Sequence, residues 1–457
     1  MEENEELKKE LGLFMATALV VGNMMGSGIF MLPATLAQKS GPGATMMAWG
    51  ITGIGSIFLA LSFANLGSII PKTGGPYEFS KVAFGDFVGF MNAWLYWNGC
   101  WIGNAAIIIA VASYVGFLFP VVATNPILGF VCTSSILWIF TLLNIRGVKL
   151  AARVQTASTI IKIALFIFFV IIAGLNFNII NITPLFPEGK GLETVPAAAT
   201  ATLWAFTGLE TAAVTGGEIK NGEKNIKRST IIGMIISTIF YMLISFAAMG
   251  AMSQNSLITS NAPLVDIFSR YLGSGAGIYI GIFALLSLVG TTIGWLLSTA
   301  RVSYAAGVDG VFPHVFSKIH PKYKTPYASL IISGILVNIL LLMNFTKGFG
   351  SAFTFVSLLA TLSYLPIYAL ATAAEILLVV KHKKKINILN FIKSSIVPLM
   401  GFIYALWTIY GSGAETVMYG FLLLLSGIPF YLYMNIKNRS IKTEVKKENL
   451  NNLDMPI

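Results

Sequence analysis

Val20-Val21-Gly22-Asn23-Met24-Met25-Gly26-Ser27-Gly28-Ile29-Phe30 sits at the centre of an apolar run from Leu11 to Ala37, long enough to cross a bilayer. Each Gly in a helix interior costs about 1 kcal/mol against Ala, so three within seven positions break a helix rather than bend it. Broken backbone exposes N–H and C=O groups, and membrane depth tolerates them only where protein or a cavity covers them. The half-helix after the break then points its free N–H groups and positive dipole end at mid-membrane, where a carboxylate can dock. Gly22 and Gly26 also form a G-x-x-x-G, so close helix packing is the competing reading of the same residues.

The chain has 457 residues, of which 56% are hydrophobic and 11% charged, with a mean hydropathy of +0.78. That composition excludes a soluble domain and indicates an all-α polytopic membrane protein. The hydropathy pattern predicts twelve spans, at roughly 11–38, 43–70, 86–119, 124–144, 154–176, 194–217, 230–253, 274–306, 328–346, 351–380, 391–411 and 414–436. A tail at 1–10 precedes them and a polar tail, expected to lack order, follows Arg439. The first run is too long for a cleaved signal. The net charge of +11 falls in alternate loops, among them Arg146, Lys149 and Arg153, then Lys220, Lys224, Lys227 and Arg228, then Lys381 to Lys385. By the positive-inside rule both termini are cytoplasmic, and the partner of the charge is lipid rather than nucleic acid; the expected location is the cell inner membrane. Cys100 and Cys132 lie within spans and give neither a disulfide framework nor metal spacing; no metal and no cofactor is expected.

A second interruption falls five spans later, in Ala201-Thr202-Leu203-Trp204-Ala205-Phe206-Thr207-Gly208-Leu209-Glu210-Thr211-Ala212. Breaks at matching positions of two halves point to a transporter built from inverted repeats. Glu210 is the carboxylate placed near a span centre, where an ionisable side chain is costly and functional by default; a packing hydrogen bond is its alternative. Lys162 is the basic residue deep in a span, and its alternative is snorkelling to the inner face. Trp94, Tyr96, Trp97 and Trp101 cluster in span three, while Trp204 and Trp295 lie too deep for an interface belt. They offer faces to a cationic ligand, or simply pack the bundle.

Gly22-Asn23-Met24-Met25-Gly26-Ser27-Gly28-Ile29-Phe30-Met31-Leu32-Pro33, Leu95 to Asn104, Thr202 to Glu210, and Gly294-Trp295 together resemble the basic amino acid/polyamine antiporters of the amino acid–polyamine–organocation (APC) superfamily, the bacterial arginine/agmatine exchangers among them. The resemblance runs from about 11 to 436. It implies a LeuT-type 5+5 inverted repeat over about 11–176 and 194–380, with helices 1 and 6 broken, two added helices at 391–436 and a cytoplasmic tail at 437–457. It also implies roles. Asn23, Ser27 and the backbone at Gly26 and Gly28 would hold a substrate α-carboxylate, and the backbone at Thr207 the α-amino group. Trp204 and Trp295 would pack on the side chain, with Gly99, Cys100 and Asn104 at its far end. Tyr96 would help occlude the site, and Glu210 would link protonation to transport. Three positions depart from the exchangers. Thr207 replaces an aliphatic residue; Ala360 replaces a pocket hydroxyl, leaving Ser357 one turn earlier; and Lys162 replaces a small residue, as in proton-coupled permeases of the superfamily.

The expectation is a secondary active transporter that exchanges a cationic amino acid (arginine, ornithine or lysine) for a related amino acid or its decarboxylated amine. The alternative is a proton-coupled symporter using Lys162. A channel or membrane-embedded enzyme is the remote alternative: no G-x-x-x-x-G-K-[ST], H-E-x-x-H or G-x-S-x-G occurs, and His314, His320 and His382 sit in loops. A homodimer is left open.

Overall fold

Six helices begin with a Pro in the first turn, where its missing N–H costs nothing and its fixed φ suits the helix. The computed structural model describes residues 7–26, 28–260, 262–343, 349–382 and 388–453. Its helices in chain order are α1 (Leu13–Met24), α2 (Gly28–Lys39), α3 (Pro42–Ile69), α4 (Pro76–Phe84), α5 (Asp86–Leu118), α6 (Pro120–Thr124), α7 (Pro126–Ile145), α8 (Val148–Leu175), α9 (Val195–Phe206), α10 (Thr211–Val214), α11 (Gly222–Ala251), α12 (Gln254–Thr259), α13 (Pro263–Leu272), α14 (Ser274–Val308), α15 (Tyr327–Met343), α16 (Phe349–His382), α17 (Ile388–Gly411) and α18 (Ala414–Leu453). Among the described residues, ten helical stretches are long and apolar enough to cross a membrane. The protein is an all-helical, multi-pass membrane protein.

Two expected spans are not among those ten. Residues 194–217 form the short helices α9 and α10 on either side of a break, and α15 has 17 residues. The C-terminal tail is a correction. Instead of losing order after Arg439, α18 continues to Leu453. The stretch Lys442-Thr443-Glu444-Val445-Lys446-Lys447-Glu448 is rich in good helix formers and spaces Glu444 three residues before Lys447, which favours a helix.

The bundle is built around α5, which packs most extensively against α16 and α14. The α1–α2 span is 76% buried, whereas α7, α17 and α18 bury little and expose Ile139, Leu142, Ile403, Leu406, Phe421 and Leu422. In a membrane those faces meet lipid, which is as apolar as they are. Inside, small residues let helices close up: Gly233 of α11 lies against Val20 of α1, and Gly55 of α3 against the Tyr404 ring of α17. Trp49 stacks on Tyr241 at 5.3 Å, tying α3 to α11.

One end of the bundle gathers the segment before α1 and the Asn438 region of α18. Glu10 and Leu11 donate their N–H groups to Glu218 O at 3.0 Å, and Lys220 N–H donates to Leu11 O at 2.8 Å, so the entry to α1 pairs with the exit from α10. Gly74 N–H donates to Val214 O at 3.0 Å. Beside them Arg301 of α14 holds Glu218 in a two-point ion pair at 2.9 Å, 0% and 1% exposed. Tyr77 donates to Asp309, which also pairs with Lys81 at 2.6 Å, and Asn438 of α18 donates to Gly310 O at 2.8 Å. Burial, with Asp309 beside it, holds the Tyr77 phenol far above its usual range, so it remains the donor. Burial, then Asp309, also pushes Glu78 up.

Removing one partner of a buried ion pair strands the other charge, at a cost of about 3–5 kcal/mol, whereas replacing both by apolar residues is close to neutral. Arg301→Met should therefore lower the thermal midpoint of the detergent-solubilised protein more than the double variant Arg301→Met/Glu218→Leu. A double variant no more stable than the single would remove the stranded-charge account.

Candidate functional site

The two chain breaks meet. In the first, α1 stops at Met24, Gly26 N–H turns back to Met24 O at 2.7 Å, and α2 starts at Gly28. In the second, Thr207 is extended and Gly208 has φ of 107°, a conformation that only Gly adopts freely. A Cβ on Gly208 would come within 3.0 Å of Asn23 C and Met24 N. One break is thus packed backbone to backbone against the other.

Side chains of α8 and α14 satisfy the carbonyls freed by the first break. Lys162, 1% exposed, donates to Gly22 O at 3.2 Å, to Met25 O, and to Thr291 Oγ1 at 2.8 Å. Thr291 in turn donates to Gly22 O at 2.9 Å. Trp295 Nε1 donates to Asn23 O at 3.1 Å. An ammonium at a helix C-terminus also complements the dipole. Lys162 does not snorkel: its Nζ is turned to the break, not to water.

The Asn23 side chain is a junction. Its Nδ2 donates to Thr211 Oγ1 at 3.0 Å and Ser298 Oγ at 3.3 Å, and its Oδ1 accepts from Gln155 Nε2 at 2.8 Å. One buried amide therefore joins α1, α8, α10 and α14. Glu210 is equally committed. Oε1 accepts from Tyr96 OH at 3.0 Å; Oε2 accepts from Tyr368 OH at 3.0 Å and from Gly208 N–H at 3.2 Å.

Beside the breaks lies a cavity lined by Asn23, Gly26, Gly28, Gly103, Ile107, Trp204, Thr207, Trp295 and Tyr364, with Met24. Its volume is about 10 Å³, close to room for a single water. The amide end of α2 opens to it at Gly28. No carboxylate is among these lining residues, and its larger walls are aromatic. Trp204 closes over Gly28, where an added Cβ would lie 2.9 Å from the ring. Tyr364 stands 5.7 Å from Trp295 and 5.4 Å from Tyr96, centroid to centroid, and its hydroxyl donates to Cys100 Sγ at 3.2 Å.

The fold, the paired breaks and the aromatic cavity now stand together with the sequence comparisons. The sequence matches the amino acid permease family over residues 11–431. The chain belongs to that family. It is 30% identical to the arginine/ornithine antiporter of Pseudomonas aeruginosa, over 93% of this chain and 90% of that protein. It is 29% identical to an arginine/agmatine antiporter of Chlamydia caviae, over 96% and 93% respectively. These are names of transporters, not of enzymes.

The permease brings most of the residues singled out in its sequence into one neighbourhood, in two tiers. Asn23, Gly26, Gly28, Trp204, Thr207 and Trp295 line the cavity. Tyr96, Gly99, Cys100, Asn104 and Glu210 stand behind it. A Cβ on Gly99 would meet Ser363 and Tyr364, and Asn104 Nδ2 donates to Thr299 Oγ1 at 3.1 Å. Ser27 lies outside the described residues, as does the side chain of Ser357. Ala360 packs 3.7 Å from the Cβ position of Gly103. Trp94 and Trp97 turn away to Leu423 O and Ser333 Oγ, at 3.0 and 2.9 Å. Met24, Gly103, Ile107 and Tyr364 were not anticipated in the lining. Nor were Gln155, Thr211 and Ser298 around Asn23; they are ordinary polar residues that signal nothing until the helices are packed.

Gly208→Ala imposes both an unfavourable φ and a clash with the Asn23–Met24 peptide, together about 1–3 kcal/mol. It should lower the thermal midpoint and abolish ligand binding by the purified protein. Gly12→Ala, whose Cβ meets nothing within 4 Å, serves as the control. Equal midpoints would show that the breaks are not in the contact described.

Proposed function

We propose that this permease exchanges a cationic amino acid, arginine, ornithine or lysine, for a related amino acid or its decarboxylated amine across the cell inner membrane. The observation that carries the reading is the junction of two broken helices at a cavity walled by Trp204 and Trp295. The family and the antiporter names of its relatives support it. In this reading the α-carboxylate docks on the amide end of α2 at Gly26, Ser27 and Gly28, beside Asn23. The α-amino group lies on the backbone at Thr207. The cationic end sits against Trp204 and Trp295, since no lining carboxylate is present to receive it. Gly99, Cys100, Asn104 and Ser357 form the outer wall, Tyr96 helps to close it, and Glu210 couples its proton to occupancy.

The proposed architecture has twelve crossings: the ten long apolar helices, α15, and the interrupted α9–α10 pair. The inverted repeats occupy 11–176 and 194–380, with 391–436 added and both termini cytoplasmic, in keeping with the meeting of residues 10–11 and the Asn438 region of α18 at one end of the bundle. A cavity of about 10 Å³ holds no amino acid, so the described conformation is a closed one, and binding requires Trp204, Trp295 or Tyr364 to move.

A cation over a desolvated indole gains about 2 kcal/mol, or roughly thirtyfold in affinity. Trp295→Leu should weaken equilibrium binding of arginine by about that factor, and Trp295→Tyr by less. Equal affinities in the two variants would dismiss the cation–π role, and tight binding of leucine by the wild type would dismiss the cationic substrate.

The two hydrogen bonds from Lys162 to the first break, with a third to Thr291 of α14, favour a second reading, proton-coupled uptake, in which loss of the Lys162 proton frees α1. Liposomes without internal substrate, under an inward proton gradient, separate the two. Exchange predicts uptake of labelled arginine only with substrate inside. Concentrative uptake into empty vesicles that Lys162→Ala abolishes would establish symport instead.

A further inference from the structure

Gln155 of α8 reaches the centre of the bundle through a slot that two glycines leave open. An added Cβ on Gly22 of α1 would lie 2.8 Å from Gln155 Nε2, and one on Gly294 of α14 would overlap Gln155 Nε2, Gln155 Oε1 and Asn23 Oδ1. Gln155 is fully buried. Its Nε2 donates to Asn23 Oδ1 at 2.8 Å and to Leu19 O at 3.4 Å. Among the described residues, its Oε1 has no hydrogen-bond partner.

An amide with an unpaired oxygen is a costly way to fill such a slot, since an apolar side chain of the same size leaves no acceptor stranded. What the amide supplies is orientation. A main-chain carbonyl only accepts, so the contact with Leu19 O turns the NH2 side of Gln155 to α1. That NH2 needs an acceptor at Asn23, which puts Asn23 Oδ1 towards α8 and Asn23 Nδ2 towards Thr211 of α10 and Ser298 of α14. Ser298 agrees with this arrangement, because its own proton goes to Gly294 O at 3.2 Å. A hydroxyl can rotate and reverse its part, however, whereas an amide anchored on a carbonyl cannot.

We infer that Gln155 is a positioning residue for substrate discrimination: it locks the Asn23 amide with its donor side towards the breaks, and so favours a ligand that brings a carboxylate over the same ligand decarboxylated. Asn23 lines the cavity with Gly26 and Gly28, whereas Gln155 is not among the lining residues and acts through Asn23. A fixed donor side there adds to the amide end of α2 in attracting an anion, and in a dry site such a dipole is only weakly screened. Reversed, the Asn23 amide would present its oxygen to the same region and repel a carboxylate. The inference rests on the exchange reading above, in which the α-carboxylate docks beside Asn23. A carrier that exchanges an amino acid for its decarboxylated amine has to bind two ligands that differ in that one group, and Gln155 sets how strongly the first is preferred.

Equilibrium binding of arginine and of agmatine to the purified protein reads this preference as a ratio of affinities. Gln155→Leu should weaken arginine about tenfold, the worth of one hydrogen bond to a charged group, and leave agmatine within about twofold. Gly294→Ala, whose Cβ displaces the same two side chains from the α14 side, should lower the ratio in the same direction and covers the case of a Gln155 variant that fails to fold. In an Asn23→Ala background, Gln155→Leu should leave the ratio where Asn23→Ala alone puts it. Equal losses for the two ligands, a ratio unchanged in both Gln155→Leu and Gly294→Ala, or a further fall in the double variant overturns the inference. A wild type that binds neither arginine nor agmatine overturns the cationic exchange reading instead. Leucine and its decarboxylated amine, isopentylamine, then decide on Gln155 by the same ratio, and a wild type that binds neither pair overturns both.

Discussion

Backbone cut open at membrane depth has to be paired by something other than water, and the core of this permease is arranged around that requirement. The carbonyls released at the end of α1 go to Lys162, Thr291 and Trp295. The second break lies against the first through Gly208, which has no side chain to hold them apart. Asn23 then links α1, α8, α10 and α14 through one amide. Apart from the close Gly208 approach, each connection is a hydrogen bond from a buried side chain, so the helix ends are held without being joined into continuous helices. They keep polar groups near a ligand while exposing none to lipid.

The same pairing leaves the cavity chemically sparse. Glu210 spends both oxygens on tyrosines and a main-chain N–H, and Lys162 spends its ammonium on carbonyls. What faces the cavity is the amide end of α2, indole and phenol rings, and the Thr207 region. A zwitterion with a cationic tail fits such a surface better than a dicarboxylate, because rings attract cations and a helix start attracts one anion.

Much of this was legible from residue order alone. The glycines around Asn23 and the Gly208–Glu210 pair mark the breaks, because two Gly-interrupted apolar runs five spans apart point to broken helices more strongly than one packing stripe does. Charge alternation between loops gave the expected sidedness, and depth along the run separated Trp204 and Trp295 from interface aromatics. What escaped the sequence depends on which helix faces which. Glu218 reads as a loop residue until Arg301 reaches it. Gln155 and Ser298 are unremarkable polar positions until they converge on Asn23. The extra turns of α18 were missed for a local reason: polarity was taken for disorder where charge spacing supports a helix.

The main-chain pairing between Leu11 and the 218–220 segment has a mechanical consequence. The arms α1 and α10 of the two broken helices are joined at their far ends by this short ladder and at their near ends by the Gly208 contact. Two rods fastened at both ends form a closed frame with little freedom to shear, unlike two levers that swing separately. Such a frame swings as a plate, so access from that side opens in one concerted movement rather than by graded bending of one arm. The residues just before α1, though outside the membrane helices, then set the stiffness of the whole plate.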